Sequence, residues 1–175
     1  VFSKVQLTVS DVRQSILQNL KNRFLRAGIH HYKSFIADAA TVKLPANQTF
    51  DLIICDAPCS GSGTWSRTPE QLYFFTIDKI DYYSSLQKSI VKNVTKYIAP
   101  KGYFLYITCS VFKKENEEVA EFIKNELKKI KADAVIDGEI VVLNDEGHPE
   151  FQLLQHYEEN THRPIRFYAF DILSL

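Results

Sequence analysis

Short apolar runs alternate with amphipathic stretches along most of this chain, and the period of each stretch predicts an element. Over residues 4–9, Val5, Leu7 and Val9 are apolar at every second position, the spacing of a half-buried strand. From Asp11 the period lengthens, and Val12, Ile16, Leu20, Phe24 and Leu25 fall on one face of a helix. Asp11 is placed to cap the first amides of that helix and Gly28 to stop it. Residues 32–36 return to a short strand followed by Asp38. Leu52, Ile53 and Ile54 form a continuous apolar run ending at Asp56, as in a strand covered on both faces of a parallel sheet.

Residues 67–70 read as a loop leading to the aromatic patch Tyr73, Phe74 and Phe75. Residues 76–99 then carry Ile80, Tyr83, Leu86, Ile90, Val94 and Ile98 at helical spacing, and Pro100-Lys101-Gly102 is expected to end that helix sharply. Residues 103–108 form an apolar strand ending at Cys109-Ser110. Residues 115–130 are acidic first and basic last, as a helix dipole prefers, with Val119, Phe122, Ile123 and Leu127 inward. The tail reads as a strand at 139–143, a turn at 144–149 and a strand at 166–173. Strands alternating with helices predict one α/β domain over the 175 residues, a doubly wound and mostly parallel sheet with an antiparallel edge pair from the tail.

Composition narrows the partners. Lys plus Arg equals Asp plus Glu at 21 each, so no global positive field announces a nucleic acid, although a local basic groove is compatible with that balance. Three cysteines without framework spacing fit a reducing cytoplasm, and five histidines without ligand spacing predict no metal. No apolar run approaches the roughly 20 residues of a spanning helix, so no membrane partner is expected.

The chemistry concentrates at two strand ends. In open α/β sheets ligands bind at the carboxyl edge, where this chain places Asp56, Pro58 and Cys59 on a glycine-flexed turn. Cys109 ends the next strand, and each of these cysteines is followed by serine. If the two strands are neighbours, both sulfurs face one crevice; read singly, each is a small buried hydrophobe. Cys55, inside its strand, reads as core. Trp65, Arg67, Tyr73, Phe74 and Phe75 either grip an unstacked nucleotide or pack together.

The run Asp56-Ala57-Pro58-Cys59-Ser60-Gly61-Ser62-Gly63-Thr64, then Leu86-Gln87, Pro100-Lys101-Gly102, and Thr108-Cys109-Ser110 followed by Glu115-Asn116-Glu117, closely resembles the Sun-domain RNA (cytosine-5) methyltransferases. The resemblance extends from about Val5 to Phe122 and implies a Rossmann-like methyltransferase fold using S-adenosylmethionine (SAM) on an RNA substrate, rRNA or tRNA. It makes Cys109 the nucleophile that attacks carbon 6 of cytosine and activates carbon 5. It makes Asp56 the acid at ring nitrogen 3, which requires that carboxyl to be protonated at that moment, and Cys59 the group that assists release. It places Asp11, Asp38 and Asp56 at the cofactor; a helix cap and a turn residue are the plainer readings of Asp11 and Asp38. Pro58 and Arg67 are the candidate contacts to RNA.

One departure from the family pattern is the lack of a glycine-rich loop upstream of Asp11. It leads to the expectation that this chain is the C-terminal part of a longer catalytic domain, without its first strand, and holds SAM weakly by itself. Two other readings compete: an amino-methyltransferase of the same fold, in which Cys109 is idle, and a binding module in which Cys55 and Cys59 form a redox or metal pair.

Overall fold

The computed structural model describes residues 5–45, 47–128 and 135–174. The chain forms two compact units, Val1–Leu127 and Lys128–Leu175.

The first unit contains two parallel ladders. Strand β1 (Leu7–Asp11) pairs with β2 (Tyr32–Ile36) in the register Leu7↔Tyr32 to Asp11↔Ile36, across helix α1 (Gln14–Arg26). Lys4, where the alternation begins, lies outside the described residues. The helix starts three residues later than its apolar spacing predicts, and Asp11 is not its cap. The Asp11 carboxylate instead accepts the Arg13 backbone N–H at 2.7 Å. This closes a tight turn before the first helical residue, leaving Arg13 at the cap position with no side-chain bond to the amides of the helix's first turn. No residue of α1 is buried; the predicted inward face rests half-exposed on a narrow ladder, with Phe24 edge-on to Tyr32 at 4.9 Å between ring centres.

The second ladder pairs β3 (Phe50–Asp56) with β4 (Ile98–Ile107), joined through helix α2 (Asp78–Val94). The expected loop before α2 is wound into 3₁₀ turns at Ser62–Thr64 and Pro69–Phe74. The helix predicted to reach residue 99 stops at Val94 and tightens to a 3₁₀ turn at Thr95–Tyr97. Pro100-Lys101-Gly102 does not break a helix but bulges a strand: the register jumps from Phe50↔Ile98 to Leu52↔Tyr103. Lys101 takes φ +63°, and a Cβ on Gly102 would stand 2.9 Å from the Ala99 carbonyl oxygen and 3.1 Å from that of Asp51. Only glycine fits where the two backbones approach so closely.

Helix α2 turns Ile80, Ser84, Gln87, Ile90 and Val91 inward. Ile90 packs on Cys55 and Ala57, with Ala39, Ala40, Leu86, Val94, Phe104 and Tyr106 around them. Strand side chains alternate, so the other face of β3 presents Leu52 and Ile54, both largely exposed. Helix α3 (Glu117–Lys128) buries Val119, Ile123 and Leu127 but leaves Phe122 half-exposed. It begins two residues after Glu115, and the predicted end at residue 130 lies outside the described residues.

In the second unit β5 (Val135–Val142) and β6 (Ile165–Ser174) form the expected antiparallel pair, with β5 starting four residues before the predicted 139. A short helix α4 (Phe151–Gln155), which the pattern does not announce, stands between them. Among the described residues the strands hydrogen-bond as three two-stranded ladders, and no helix is long and apolar enough to cross a membrane.

Candidate active site

The site grows from the parallel pairing of β3 and β4. The ladder continues one step past Asp56, where the Ala57 N–H donates to the Ile107 carbonyl at 2.9 Å. Beyond this point both chains turn away from the sheet, and the Gly63 N–H donates to the Cys109 carbonyl at 2.8 Å. A Cβ on Gly63 would stand 2.8 Å from that same oxygen, and Gly61 takes φ +71°. The two glycines therefore let the turn double back against the end of β4.

The result is a thiol pair: Cys59 Sγ and Cys109 Sγ lie 3.4 Å apart. Cys109 is exposed and Cys59 half-buried, while Cys55 is buried in the strand. Burial, then the neighbouring Cys59 through its hydrogen bond and charge, then the charge of Asp56, push the Cys109 thiol up to about 11. At pH 7 the thiolate fraction is then on the order of 10⁻⁴. Lys114, five residues on, is ion-paired with Asp81. Burial and the charge of Asp56 push Cys55 up to about 12, and Cys59 is bonded to Cys109 rather than to Cys55, against a reactive Cys55–Cys59 pair.

Serine hydroxyls tie the two turns together. Ser60, Ser62 and Ser110 form a triangle of hydroxyl contacts at 3.2 to 3.3 Å, and Ser62 Oγ accepts the Val111 N–H at 2.8 Å. Three further side chains hold the backbone beside the thiols: Gln87 donates to the Pro58 carbonyl, Glu115 accepts from the Ser60 N–H, and Asn116 bonds both Thr108 and Ser110. Reading the sequence for chemistry passes over these residues. A signal exists for Gln87, a polar residue on the apolar face of α2 between Ile80 and Ile90.

The remaining candidates divide. Asp56 is exposed at the end of β3 beside the thiols, and Pro58 is exposed with its carbonyl engaged by Gln87. Arg67 is exposed in the turn between the two 3₁₀ segments. Asp11 and Asp38 end the other ladder. Hydrogen bonds from Arg13 hold the Asp11 carboxyl below the usual carboxylate range, and Asp38 Oδ1 accepts the Ala40 N–H at 2.8 Å. Ala39 and Ala40 pack against Cys55 and Ala57, which brings the loop after Asp38 to the end of β3. Trp65 is consumed in packing, 4.7 Å from Phe75 and 5.9 Å from Phe112 between ring centres, with those two rings stacked; Tyr73 and Phe74 stay exposed. Among the described residues no group of three or more His, Cys, Asp or Glu side chains is arranged to hold a metal ion.

Solved structures share this arrangement of strands and helices. A crystal structure of PH0851 superposes with a TM-score of 0.64 at 30% identity, covering 85% of this chain and 32% of that one. A methyltransferase homologue from Pyrococcus horikoshii gives 0.56 at 27% identity, covering 79% and 40%. The fold is thus that of the Rossmann-like methyltransferases. The tRNA (cytosine(49)-C(5))-methyltransferase of Pyrococcus abyssi is 29% identical over 167 residues, which are 94% of this chain and 51% of that protein. The family of the 16S rRNA methyltransferases RsmB/F matches residues 2–168, and the chain belongs to it. It spans about half the length of the Pyrococcus abyssi relative.

Proposed function

We propose that the protein methylates carbon 5 of cytosine in RNA, either rRNA or tRNA, using SAM and a covalent adduct to Cys109. The observation that carries this reading is the pair of thiols 3.4 Å apart at the carboxyl ends of adjacent parallel strands, with a carboxylate three residues before one of them. A family named for 16S rRNA and a relative named for tRNA support an RNA substrate. An amino-methyltransferase needs no thiol, and a reduced pair requires a reducing compartment, the cytoplasm.

Carbon 5 of cytosine is a weak nucleophile, so bond formation between Cys109 Sγ and carbon 6 must come first. With its thiol pushed up to about 11, Cys109 rests protonated, and as Sγ bonds to carbon 6 its proton passes to the Asp56 carboxylate. Asp56, exposed at the same strand end, is the acid that protonates ring nitrogen 3 as charge builds there. Release reverses this: a base takes the carbon 5 proton, the electrons of that bond form the carbon 5–carbon 6 double bond as the Cys109 thiolate is expelled, and nitrogen 3 returns its proton to Asp56. Cys59 stands beside the bond that breaks and assists that step.

When bound, SAM supplies an electrophilic methyl group. The strand-end carboxylates suit it: Asp11, Asp38 and Asp56 offer oxygen acceptors for ribose hydroxyls and polar adenine edges at the edge where this fold binds ligands. Pro58, just before Cys59, and Arg67, beyond it, are exposed and face the RNA.

In the full-length protein, Cys59→Ala should allow attack and stall release, so that an RNA adduct accumulates on denaturing gels with unmodified transcripts of 16S rRNA and tRNA. Cys109→Ser should abolish both adduct and product. A Cys109→Ser protein that still crosslinks to RNA would make Cys59 the nucleophile.

A further inference from the structure

The residues on both sides of each thiol are held by a side chain from elsewhere, and three of the four restraints come from two consecutive residues. For Cys59, Gln87 Nε2 donates to the Pro58 carbonyl at 2.9 Å and Glu115 Oε2 accepts the Ser60 N–H at 2.7 Å. For Cys109, one amide does both jobs: Asn116 Oδ1 accepts the Thr108 hydroxyl at 2.6 Å and Asn116 Nδ2 donates to the Ser110 carbonyl at 2.7 Å. Glu115 and Asn116 are joined by a single planar peptide unit, which fixes their Cα atoms about 3.8 Å apart. That unit is itself tied to β4, because the Tyr106 hydroxyl donates to the Glu115 carbonyl at 2.9 Å.

Packing alone does not account for this choice of residues. Gln87 and Glu115 are both fully buried, at 0% exposure, and each has one side-chain oxygen with no hydrogen-bond partner. Burying an amide and a carboxylate with an unmatched oxygen is costly, and an apolar side chain of similar volume would fill either space more favourably. What the polar groups add is direction: they hold the Pro58 carbonyl and the Ser60 N–H on either side of the Cys59 sulfur.

We infer that Glu115, Gln87 and Asn116 are positioning residues for two different steps of the reaction, Glu115 and Gln87 holding Cys59 for release and Asn116 holding Cys109 for attack. The assignment rests on the covalent mechanism proposed above and deepens it. It predicts opposite phenotypes from neighbouring positions. Loss of the Glu115 carboxylate frees Ser60 and leaves the Cys109 turn in place, so the adduct forms and persists. Loss of the Asn116 amide frees Thr108 and Ser110 together, so attack fails and no adduct forms. A purely structural role would weaken both steps together.

The test uses the full-length protein with unmodified 16S rRNA and tRNA transcripts, following the covalent band on denaturing gels and its decay on chasing. Glu115→Ala should accumulate the band, with release slowed at least about tenfold. Glu115→Gln keeps an acceptor for the Ser60 N–H and should bring release back to within about threefold of wild type. Asn116→Ala should give little or no band, and Asn116→Asp should not restore it, since the carboxylate keeps the acceptor for Thr108 but has no donor for the Ser110 carbonyl. If Glu115→Ala does not fold, Gln87→Leu, which unties Pro58 while filling the same space, should accumulate the band in its place. Cys59→Ala is the control: without an adduct there, the covalent mechanism itself fails. An adduct with Cys59→Ala but none with Glu115→Ala or Gln87→Leu, or equal loss from Glu115→Ala and Asn116→Ala, overturns the division of labour.

Discussion

The segments β1–α1–β2 and β3–α2–β4 share one plan, a strand ending in aspartate, a crossover helix and a parallel partner, yet α2 buries five residues where α1 buries none. Around the second segment, Ile90, Cys55 and Ala57 form a small core, and the turns beyond the strands are bound to one another through Gly63, Ser62 and Ser110. In the first, the strand-end carboxylate is engaged by its sequence neighbour Arg13 at the surface. On the mechanism proposed above, two sulfurs share one reacting ring and need the fixed positions that packed supports give; a carboxylate proposed to accept hydrogen bonds from a ligand tolerates a looser one.

The contrast is sharpest in stability. Ile90→Ala should cost about 2–5 kcal/mol in urea denaturation, the loss usual for a buried aliphatic side chain, while Ile16→Ala on the half-open face of α1 should cost less than about 0.5 kcal/mol. Equal losses would erase the distinction between the segments. Next in size is Gly63→Ala, whose new Cβ meets a backbone oxygen at 2.8 Å. Forcing the turns apart should cost about 1–3 kcal/mol and also return the Cys109 thiol towards its ordinary range. A stability loss with unchanged thiol titration would show that the strain is relieved elsewhere.

The smallest effect is on that titration itself. Alkylation of Cys109 by iodoacetamide, followed on its peptide by mass spectrometry, should rise with pH to a midpoint near 11 rather than at the ordinary 9.0. Burial and neighbouring negative charge both disfavour the thiolate, so removing them lowers the midpoint. Cys59→Ala takes away the hydrogen bond and charge that rank after burial and should lower it more than Asp56→Asn does. A midpoint that Cys59→Ala leaves in place would mean the sulfurs are not in contact in solution.

Much of this was legible beforehand because it is local. The apolar run before Asp56, the glycines after it and the matched Cys-Ser pairs at 59–60 and 109–110 sufficed to place the site at two strand ends. The pattern misleads where another partner takes the segment, whether distant backbone or a near neighbour. Pro100-Lys101-Gly102 resembles a helix stop when read alone, but Phe50 pairs with Ile98 and recruits the segment into β4 as a bulge. Asp11 resembles a cap, but Arg13 captures it first.

The sequence by itself determined the order of strands and helices, the residue types at each strand end and the family, since periodicity and motif spacing are properties of neighbours along the chain. The tertiary structure alone decided that the sulfurs approach to 3.4 Å, that Trp65 packs instead of standing open, and that Gln87, Glu115 and Asn116 grip the turns. The sulfur contact and the bonds of Gln87 and Glu115 join residues about 30 to 55 positions apart in sequence, and the Asn116 and Trp65 contacts follow no helix or strand period, so no local pattern carries them.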